Sequence, residues 1–313
     1  MRIIRDTSFM APEDGGASVA IGNFDGVHLG HQAVIDIARA KATSLNCPLG
    51  VMTFEPHPRQ FFAPDAPPFR LMNAQARAHR LEKLGVERLY ELNFGGALAE
   101  LSAEEFARDI IGGALGLRHV VVGADFCFGK GRSGNVDDLQ HFGAEFGFEV
   151  TVAELVKDAK SEFSSTNIRQ ALTDGRPGDA ARMLGHWHRM EGEVIRGDQR
   201  GRDLGFPTAN MSIDGLHLPK FGVYAVEVDV IDGPHAGQYH GAASMGVRPM
   251  FGENLPNLET FIFDFQGDLY GSNISVALVE YLRPEEKFDS LDDLINQMNA
   301  DCNRARDILK ALP

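Results

Sequence analysis

Two histidines, three residues apart, stand at the end of a glycine-rich turn where they could act on phosphate groups. The turn is Gly22-Asn-Phe-Asp-Gly-Val-His-Leu-Gly-His31, and a short apolar run leads into it. Apolar residues then recur at helical spacing to about Thr43, so both histidines fall at the start of a helix, where unpaired N–H groups bind anions. Imidazoles there can donate hydrogen bonds to phosphate oxygens and stabilise the charge that develops as a phosphoryl bond breaks. The pattern predicts a triphosphate site with nucleotidyl-transfer chemistry.

The glycines of this turn fit the same interpretation. Gly22, Gly26 and Gly30 let the backbone turn sharply and approach a ligand closely. A glycine-rich loop with two solvated histidines is the alternative, but the order of strand, glycines and helix favours function. The chain has no Gly-x-x-x-x-Gly-Lys-Ser/Thr string. Any ATP chemistry must therefore use other phosphate-binding groups.

Three further strings of the first half could contribute to this site. Thr53-Phe-Glu-Pro-His-Pro-Arg59 follows an apolar strand, where open parallel sheets bind ligands, although a proline-stiffened turn is the alternative. The loop from Val120 to Asn135 places Lys130 and Arg132 near two phenylalanines, which suits an aromatic phosphate ligand or an ordinary surface loop. Ser164-Ser-Thr-Asn-Ile-Arg169 opens a helix and presents N–H groups and a guanidinium to phosphate. A plain Ser/Thr helix cap is the alternative.

The second half has its own signature, a glycine- and arginine-rich loop that runs from Gly197 to Asn210. Neutral oxygens of Thr208 and Asn210 are hard ligands that can hold Mg²⁺ while its other positions remain for phosphates and water. Downstream, Glu259 falls among apolar residues of a predicted strand and could act as general base for a hydroxyl nucleophile. A solvated glutamate on a barrel strand is the alternative.

The elements that must position these residues change character along the chain. Up to about Leu184, apolar runs alternate with helical patterns, as in a parallel sheet built from βαβ units. These segments are Pro48 to Phe54, Ala74 to Leu84, Arg88 to Leu92, Ser102 to Ile111 and His119 to Gly123. Later segments read as strands with turns, which indicates an antiparallel sheet or small barrel. They are Arg189 to Arg196, Gly222 to Val230, Leu258 to Phe265 and Ile274 to Tyr281, followed by an amphipathic helix from about Ser290 to Leu312.

We therefore predict two domains. Residues 1–184 form an α/β parallel-sheet, Rossmann-like nucleotidyltransferase domain, and residues 185–313 form an antiparallel β-barrel domain with a C-terminal helix. A short helix could lie at the boundary, over Asp179 to Leu184.

Composition narrows the class of protein. A formal net charge of -14 over 313 residues argues against a nonspecific nucleic-acid or anionic-membrane surface. Cys47, Cys127 and Cys302 are far apart and form neither a metal pattern nor a disulfide framework, which is typical of a reducing compartment. No apolar run approaches the length of a membrane span. We predict a cytoplasmic protein that binds neither nucleic acid nor membrane.

Together, these strings resemble the bacterial bifunctional riboflavin kinase/FMN adenylyltransferase family, the FAD synthetases, over nearly the whole chain. Further matching strings are Phe221-Gly-Val-Tyr224 and Phe263-Asp-Phe-Gln-Gly-Asp-Leu-Tyr-Gly271. The resemblance implies that ATP phosphorylates riboflavin to FMN in the second domain, with Glu259 as base and Thr208 and Asn210 around Mg²⁺. It implies that a second ATP adenylylates FMN to FAD in the first domain, with release of pyrophosphate.

The resemblance also implies roles for individual residues. His28 and His31 would stabilise the α-phosphate in the adenylyl-transfer transition state. The nucleotide- and phosphate-binding set would be Gly22, Asn23, Gly30, Ser165, Thr166, Arg169, Gly201, Arg202 and Gly205. The flavin-binding set would be Asp125, Phe126 and Phe128. The partners implied are riboflavin, FMN, FAD and ATP, and the oligomeric state is not predicted.

The chain departs from the family pattern at a few positions, and two alternatives stay open. Cys127 replaces an arginine, which could weaken a contact to ligand phosphate or flavin, and Ser244-Met-Gly replaces Asn-Ile-Gly. One alternative is a single-activity enzyme, either a kinase with a scaffold module or a nucleotidyltransferase for another phosphorylated metabolite. The other is a noncatalytic flavin- or nucleotide-binding module. The presence together of His28, His31, Thr208, Asn210 and Glu259 argues against the noncatalytic module, since binding alone needs no base.

Overall fold

The computed structural model describes residues 1–7, 10–154, 163–197, 201, 204–250 and 253–312. Contacts divide the chain into an N-terminal unit, Met1–Pro67 with Arg77–Phe163, and a C-terminal unit, Pro68–Ala76 with Ser164–Pro313. The two units differ from the predicted domains in residues 68–76 and 164–184, which fall in the C-terminal unit. The assignment of separate activities to residues 1–184 and 185–313 stays a prediction.

The N-terminal unit is built on a six-stranded sheet in the order β1-β4-β3-β2-β5-β6, in which every neighbouring pair is parallel. The strands are β1 (Arg2–Ile4), β2 (Ser18–Ile21), β3 (Leu49–Glu55), β4 (Arg88–Asn93), β5 (His119–Gly123) and β6 (Glu149–Ala153). The chain leaves β2 towards β3 on one side and returns to β5 on the other. The strand order therefore reverses at the carboxyl end of β2, and open α/β sheets bind ligands at such a topological switch point.

Helices cover this sheet as the predicted α/β class requires. They are α1 (Leu29–Leu45), α2 (Pro58–Phe62), α3 (Ala74–Lys83), α4 (Gly96–Ala99), α5 (Ala103–Glu105) and α6 (Val136–Phe146). The predicted helix over Ser102 to Ile111 is present and begins with a capping box in which the Glu105 N–H donates to Ser102 Oγ over 3.1 Å. From Phe106 to Ala114 the segment is a π-helix, a difference that apolar periodicity does not reveal.

The C-terminal unit contains a six-stranded antiparallel sheet in the order β7-β12-β9-β10-β11-β8. Its elements are α7 (Ser165–Thr173), α8 (Pro177–Leu184), β7 (His188–Glu193), β8 (Thr208–Ser212), β9 (Gly222–Val230), β10 (Gly237–Met250), β11 (Glu253–Ile262), β12 (Asn273–Arg283) and α9 (Leu291–Lys310). Just past β7, the Ile195 N–H donates to the Asn210 carbonyl of β8 over 2.8 Å. This bond joins the two edges of the sheet and confirms the predicted barrel-like fold.

The two faces of β11 separate the barrel core from the outer surface. Leu258, Thr260 and Ile262 alternate with Asn257 and Glu259, and side chains of alternate residues point to opposite faces. Leu258 and Ile262 belong to the apolar core of the barrel. On the other face, Phe261 and Phe263 pack with the second half of α9, including Ala305 and Leu309.

The predicted strand over Leu258 to Phe265 differs from the observed one at both ends. The strand begins earlier, at Glu253, and ends at Ile262. Asp264 has a φ of 57°, in the left-handed region, so the extended chain cannot continue through it. In the part of the chain that the structure describes, no helix is both long and apolar enough to cross a membrane.

His188, the first residue of β7, is a buried titratable group in the C-terminal unit. Its side chain is 2% exposed, and within the described residues its Nε2 has no hydrogen-bond partner. Burial, assisted by the nearby His186 and His217, lowers the pKa of His188 to about 3. The folded chain therefore keeps this imidazole neutral at pH values where the unfolded chain protonates it.

Replacing His188 should reduce the acid sensitivity of the C-terminal unit. Because only the unfolded chain takes up this proton below about pH 6.5, stability falls as the pH falls through that value. Between about pH 7 and about pH 6, we expect the wild type to lose about 0.7 kcal/mol more unfolding free energy than His188→Phe. Urea unfolding followed by the fluorescence of Trp187, the one tryptophan in the sequence, measures this difference. Equal losses in both proteins would contradict the assignment.

Candidate functional site

The two histidines of the glycine-rich turn form one stacked pair at the start of α1. His28 is the N-cap residue, and its Nδ1 accepts a hydrogen bond from the His31 N–H over 3.3 Å. The two imidazole rings lie 3.7 Å apart, centroid to centroid, with 20° between their planes. This geometry places both rings at the positive end of the helix, as the sequence predicts.

Burial keeps one ring of the pair, His31, uncharged at a position where an anion could bind. Burial and the neighbouring His28 hold the pKa of His31 well below its usual range, so His31 is neutral at pH 7. Because Nδ1 of His28 accepts a hydrogen bond, the proton of the neutral ring sits on Nε2. In the described part of the chain, the buried Nδ1 of His31 has no partner. An arriving phosphate would supply hydrogen-bond acceptors and would raise the pKa of His31.

The turn that carries the pair is unusually constrained. Phe24 and Val27 are buried and have φ values of 50° and 45°, which non-glycine residues rarely adopt. A Cβ added at Gly30 would lie 3.1 Å from the His28 ring, whereas one at Gly22 would meet Phe24 at 3.4 Å, an ordinary contact. Gly30 is therefore the glycine whose missing side chain makes room for the imidazole.

A buried arginine that the sequence analysis missed supports the backbone of Asn23. The exposed Asn23 has its carbonyl oxygen 3.2 Å from the Thr53 hydroxyl, which donates to it, and 3.5 Å from an Arg77 nitrogen. Arg77 is fully buried and donates to the carboxylates of Glu55 and Glu91, over 2.9 and 3.0 Å. It therefore connects the turn after β2 to the ends of β3 and β4.

The string after β3 forms a helix start and an exposed aromatic surface. Nδ1 of His57 accepts the Arg59 N–H over 3.0 Å and caps the short helix α2. The next residues, Phe61 and Phe62, are 38% and 67% exposed, and both rings contact Phe94, which follows β4. Exposed rings at the carboxyl ends of β3 and β4 can stack on a planar ligand. Two adjacent phenylalanines on a five-residue helix were the signal that sequence analysis passed over.

The loop after β5 places its predicted flavin-binding residues in different environments. Asp125 and Cys127 are exposed, and the Cys127 thiol lies 3.7 Å from the Asp125 carbonyl. Phe126 stacks on Phe128, with ring centroids 5.5 Å apart. Phe128 is only 7% exposed and belongs to the apolar core of the unit. Flavin binding by these residues stays a prediction, and Phe126 has the more accessible ring.

The predicted phosphate-binding helix, α7, lies in the C-terminal unit. Ser164 caps it by accepting the Asn167 N–H over 3.3 Å, and Ser165 and Thr166 form its first turn. Nε of Arg169 donates to the Phe69 carbonyl over 2.7 Å, while the guanidinium lies 5.4 Å from the centre of the Phe69 ring. Phe69 thus fixes the direction of Arg169 from two sides.

The predicted kinase residues share one face of the barrel. Glu259 of β11 stands directly opposite Asn210 of β8 and, on its other side, opposite Ser244 of β10. Thr208 lies two residues before Asn210, so its side chain points to the same face. Residues directly opposite in an antiparallel pair have Cβ atoms about 5 Å apart. The strand register therefore brings a carboxylate, a hydroxyl and an amide together.

The loop before β8 packs tightly against this group. A Cβ on Gly197 would lie 2.6 to 2.7 Å from the amide atoms of Asn210, and one on Gly201 would lie 2.4 Å from the Phe206 carbonyl. Gly205 has a φ of 85°, which favours glycine. Arg202 lies outside the described residues. The described residues contain no cluster of three or more histidine, cysteine, aspartate or glutamate side chains that could hold a metal ion.

Known proteins with both kinds of domain resemble the whole chain. Two family models match, FAD synthetase over residues 10–167 and riboflavin kinase over residues 184–309. A bifunctional riboflavin kinase/FMN adenylyltransferase of Pseudomonas fluorescens is 41% identical over 307 residues, which cover 98% of this chain and 97% of the relative. One of Escherichia coli strain K12 is 38% identical over 309 residues, with coverages of 98% and 97%.

A solved structure matches over the same extent. It is described as a macrolide-efflux protein from Streptococcus pneumoniae, and it is 32% identical with a TM-score of 0.81. The match covers 100% of this chain and 99% of that chain. The two family models and the two relatives confirm the family resemblance found in the sequence, and the solved structure shows the same fold over the whole chain.

Removing the charge of Arg77 should destabilise the turn that carries Asn23. In Arg77→Met, two carboxylates lose their buried cation, and we expect the unfolding free energy to fall by about 3 to 5 kcal/mol. Arg5 also binds Glu91, over 2.8 Å, but its side chain is 66% exposed. Arg5→Met should therefore cost less than about 1 kcal/mol. Urea unfolding followed by circular dichroism compares the variants, and similar losses would contradict the central position of Arg77.

Proposed function

This chain belongs to the family of bifunctional riboflavin kinases/FMN adenylyltransferases, and we propose that it makes FMN and FAD at two separate sites. ATP phosphorylates riboflavin to FMN, and a second ATP adenylylates FMN to FAD with release of pyrophosphate. The observation that carries this proposal is that each half contains its own set of phosphate-directed groups. One is the stacked His28–His31 pair, and the other is the face shared by Thr208, Asn210 and Glu259.

At the first site, the FMN phosphate attacks the α-phosphorus of ATP and pyrophosphate leaves. His28 and His31 donate hydrogen bonds to the α-phosphate oxygens as their charge increases, and the N–H groups at the start of α1 add to this field. We assign nucleotide contacts to Gly22, Asn23 and Gly30, since they lie on the same turn. Ser165, Thr166 and Arg169 are assigned to the phosphates because they lie on a helix start with a fixed guanidinium.

At the second site, Glu259 takes the proton of the riboflavin 5′-hydroxyl while the hydroxyl oxygen attacks the γ-phosphorus of ATP. The bond from the γ-phosphorus to the bridging oxygen breaks, and ADP leaves. Thr208 and Asn210 supply neutral oxygens of the kind that Mg²⁺ accepts beside phosphates and water, and Mg²⁺ would neutralise charge on the phosphates. Gly201, Arg202 and Gly205 are assigned to the nucleotide because they belong to the loop that leads into β8.

The remaining expectations follow from this division. We propose that residues 1–184 carry adenylyl transfer and residues 185–313 carry the kinase reaction, in agreement with matches over 10–167 and 184–309. Asp125, Phe126 and Phe128 are proposed to contact the flavin, with the exposed rings of Phe61 and Phe62 as a further stacking surface. A cytoplasmic location is proposed on the composition alone.

Glu259 should be needed for the phosphorylation of riboflavin but not for the adenylylation of FMN. In Glu259→Ala, the hydroxyl nucleophile has no base, so FMN formation from riboflavin should fall by about a hundredfold or more. FAD formation from supplied FMN should stay within twofold of wild type, about the scatter expected for a surface change. Chromatographic time courses of riboflavin, FMN and FAD measure both reactions in one sample. Equal loss of both activities in a folded variant would overturn the separate sites.

His28 should be needed for the adenylylation of FMN but not for the phosphorylation of riboflavin. His28→Asn keeps a side-chain oxygen that can cap α1 but removes the imidazole donor. We expect FAD formation from FMN to fall by about a hundredfold or more, as when one preorganised transition-state donor is lost. Riboflavin phosphorylation by the same sample serves as the control for protein quality. Unchanged FAD formation would show that His28 is only a helix cap.

A further inference from the structure

Two asparagine amides on the outer face of the barrel form a hydrogen-bonded series that ends at Thr208. Nδ2 of Asn257 donates to Oδ1 of Asn210 over 3.0 Å. Nδ2 of Asn210 in turn lies 3.3 Å from the Thr208 carbonyl oxygen and 3.5 Å from the Thr208 hydroxyl. Asn257 and Asn210 are only 2% and 7% exposed. Both amides are therefore held in place by protein rather than by solvent.

At the other end of this hydrogen-bonded series, the buried amide oxygen of Asn257, Oδ1, lacks a donor among the described residues. A buried acceptor without a partner costs more than a single hydrogen bond returns, so such atoms are rare and need an explanation. The cross-strand neighbour of Asn257 is Gly246, and a Cβ there would lie 2.4 Å from a carboxylate oxygen of Glu285. Negative charge on that side favours an amide nitrogen over an amide oxygen.

Rotating both amides by half a turn exchanges their oxygen and nitrogen ends without changing their shape. Asn210 would then donate to Asn257, and the Asn257 nitrogen would lie on the side of Glu285. The same rotation would turn Oδ1 of Asn210 towards the two oxygens of Thr208, at the distances now held by its nitrogen, 3.3 and 3.5 Å. The Thr208 carbonyl oxygen would repel the amide oxygen unless a cation lies between them, and the Thr208 hydroxyl can either donate to the amide oxygen or bind the same cation. This is a hard, neutral ligand set of the kind that Mg²⁺ accepts.

We propose that Asn257 is a positioning residue of the kinase site, which lets the Asn210 amide reverse when the divalent cation of the ATP complex binds. The pair keeps one hydrogen bond in either orientation, so reversal does not leave Asn210 unpaired. Gly197, whose Cβ position lies 2.6 Å from the Asn210 side chain, leaves space for the amide to turn in place but not to swing away. The inference rests on the proposed function, because it assigns the cation to Thr208 and Asn210.

Two substitutions of Asn257 separate the orientations. Asn257→Asp can only accept, so it should hold Oδ1 of Asn210 towards Thr208 before the cation arrives and tighten binding. Asn257→Leu loses the Asn210 hydrogen bond in both orientations, so that loss cancels. It also removes the amide whose nitrogen lies on the side of Glu285 only in the reversed orientation, so binding should weaken by roughly threefold to tenfold, the worth of one neutral hydrogen bond. The probe is Mn²⁺ bound in the presence of ADP to the full chain, measured by electron paramagnetic resonance. The side-chain ¹⁵NH₂ signals of Asn210 report its orientation with and without Mg²⁺, which is diamagnetic and does not broaden them as Mn²⁺ would.

Two matched controls lie on the same strands. Thr260→Val removes another buried oxygen of β11 that has no partner among the described residues, but on the barrel interior, so it should leave Mn²⁺ binding unchanged. Ser212→Asp adds the charge of Asn257→Asp to the exposed residue directly opposite Asn257, without contacting Asn210 through an amide. The Mn²⁺ affinity should increase more in Asn257→Asp than in Ser212→Asp. FAD formation from FMN, which uses the other site, should be unchanged in all four variants.

The outcomes distinguish this inference from the proposed function. Weaker Mn²⁺ binding in Asn257→Leu, with Asn210 signals that shift on metal addition in wild type but are already shifted in Asn257→Asp, would support it. Unchanged binding in Asn257→Leu, or an Asn210 amide that does not respond to metal in wild type, would overturn it while kinase activity remained. If Asn257→Asp fails to fold, the leucine variant and the wild-type signals still decide. A wild-type chain that forms no FMN would instead overturn the proposed function.

Discussion

The strand register between β8 and β11 is the constraint that brings together Thr208, Asn210 and Glu259, the proposed kinase residues. It sets Asn210 opposite Glu259 and Thr208 opposite Phe261. Because side chains alternate between faces, a shift of one residue would turn Asn210 and Thr208 away from Glu259. The register is protected on the interior, where Leu258 and Met211 are fully buried, and at the sheet edge, where the Ile195 N–H binds the Asn210 carbonyl. Core packing thus fixes the chemistry on the opposite face.

In the N-terminal unit, the start of helix α1 fixes the position of the candidate site residue His28. The His28 ring satisfies one of the N–H groups at the start of α1, so the group assigned to the phosphate also completes the helix. In the same turn, the Asn23 carbonyl accepts from Thr53 and Arg77, and Arg77 is paired with two carboxylates. A turn with two left-handed non-glycine residues persists because these bonds hold it.

Local patterns predicted much of this structure, and long-range contacts account for the rest. The strands His119–Gly123 and Gly222–Val230 were predicted at their observed bounds, since a continuous or alternating apolar run specifies a strand by itself. The strand Arg2–Ile4 was missed because two of its three residues are exposed and it exists by pairing with β4. Arg77 and Asn257 were likewise missed because their roles depend on long-range contacts. Their partners, Glu91 and Asn210, are 14 and 47 residues away, so no local spacing marks them.

Both candidate sites are proposed to bind polyanions, on a chain whose net charge is -14. The overall field repels ATP, so attraction has to come from groups at contact distance. The groups proposed for the N-terminal site are backbone N–H groups, the guanidinium of Arg169 and two histidines, of which His31 is kept neutral by burial. The C-terminal face offers hydroxyl and amide oxygens, which suit a cation that arrives with the nucleotide. Neutral donors and ligands avoid burying fixed charges that would need partners in the ligand-free state, and they become strong only when phosphate or metal is in place.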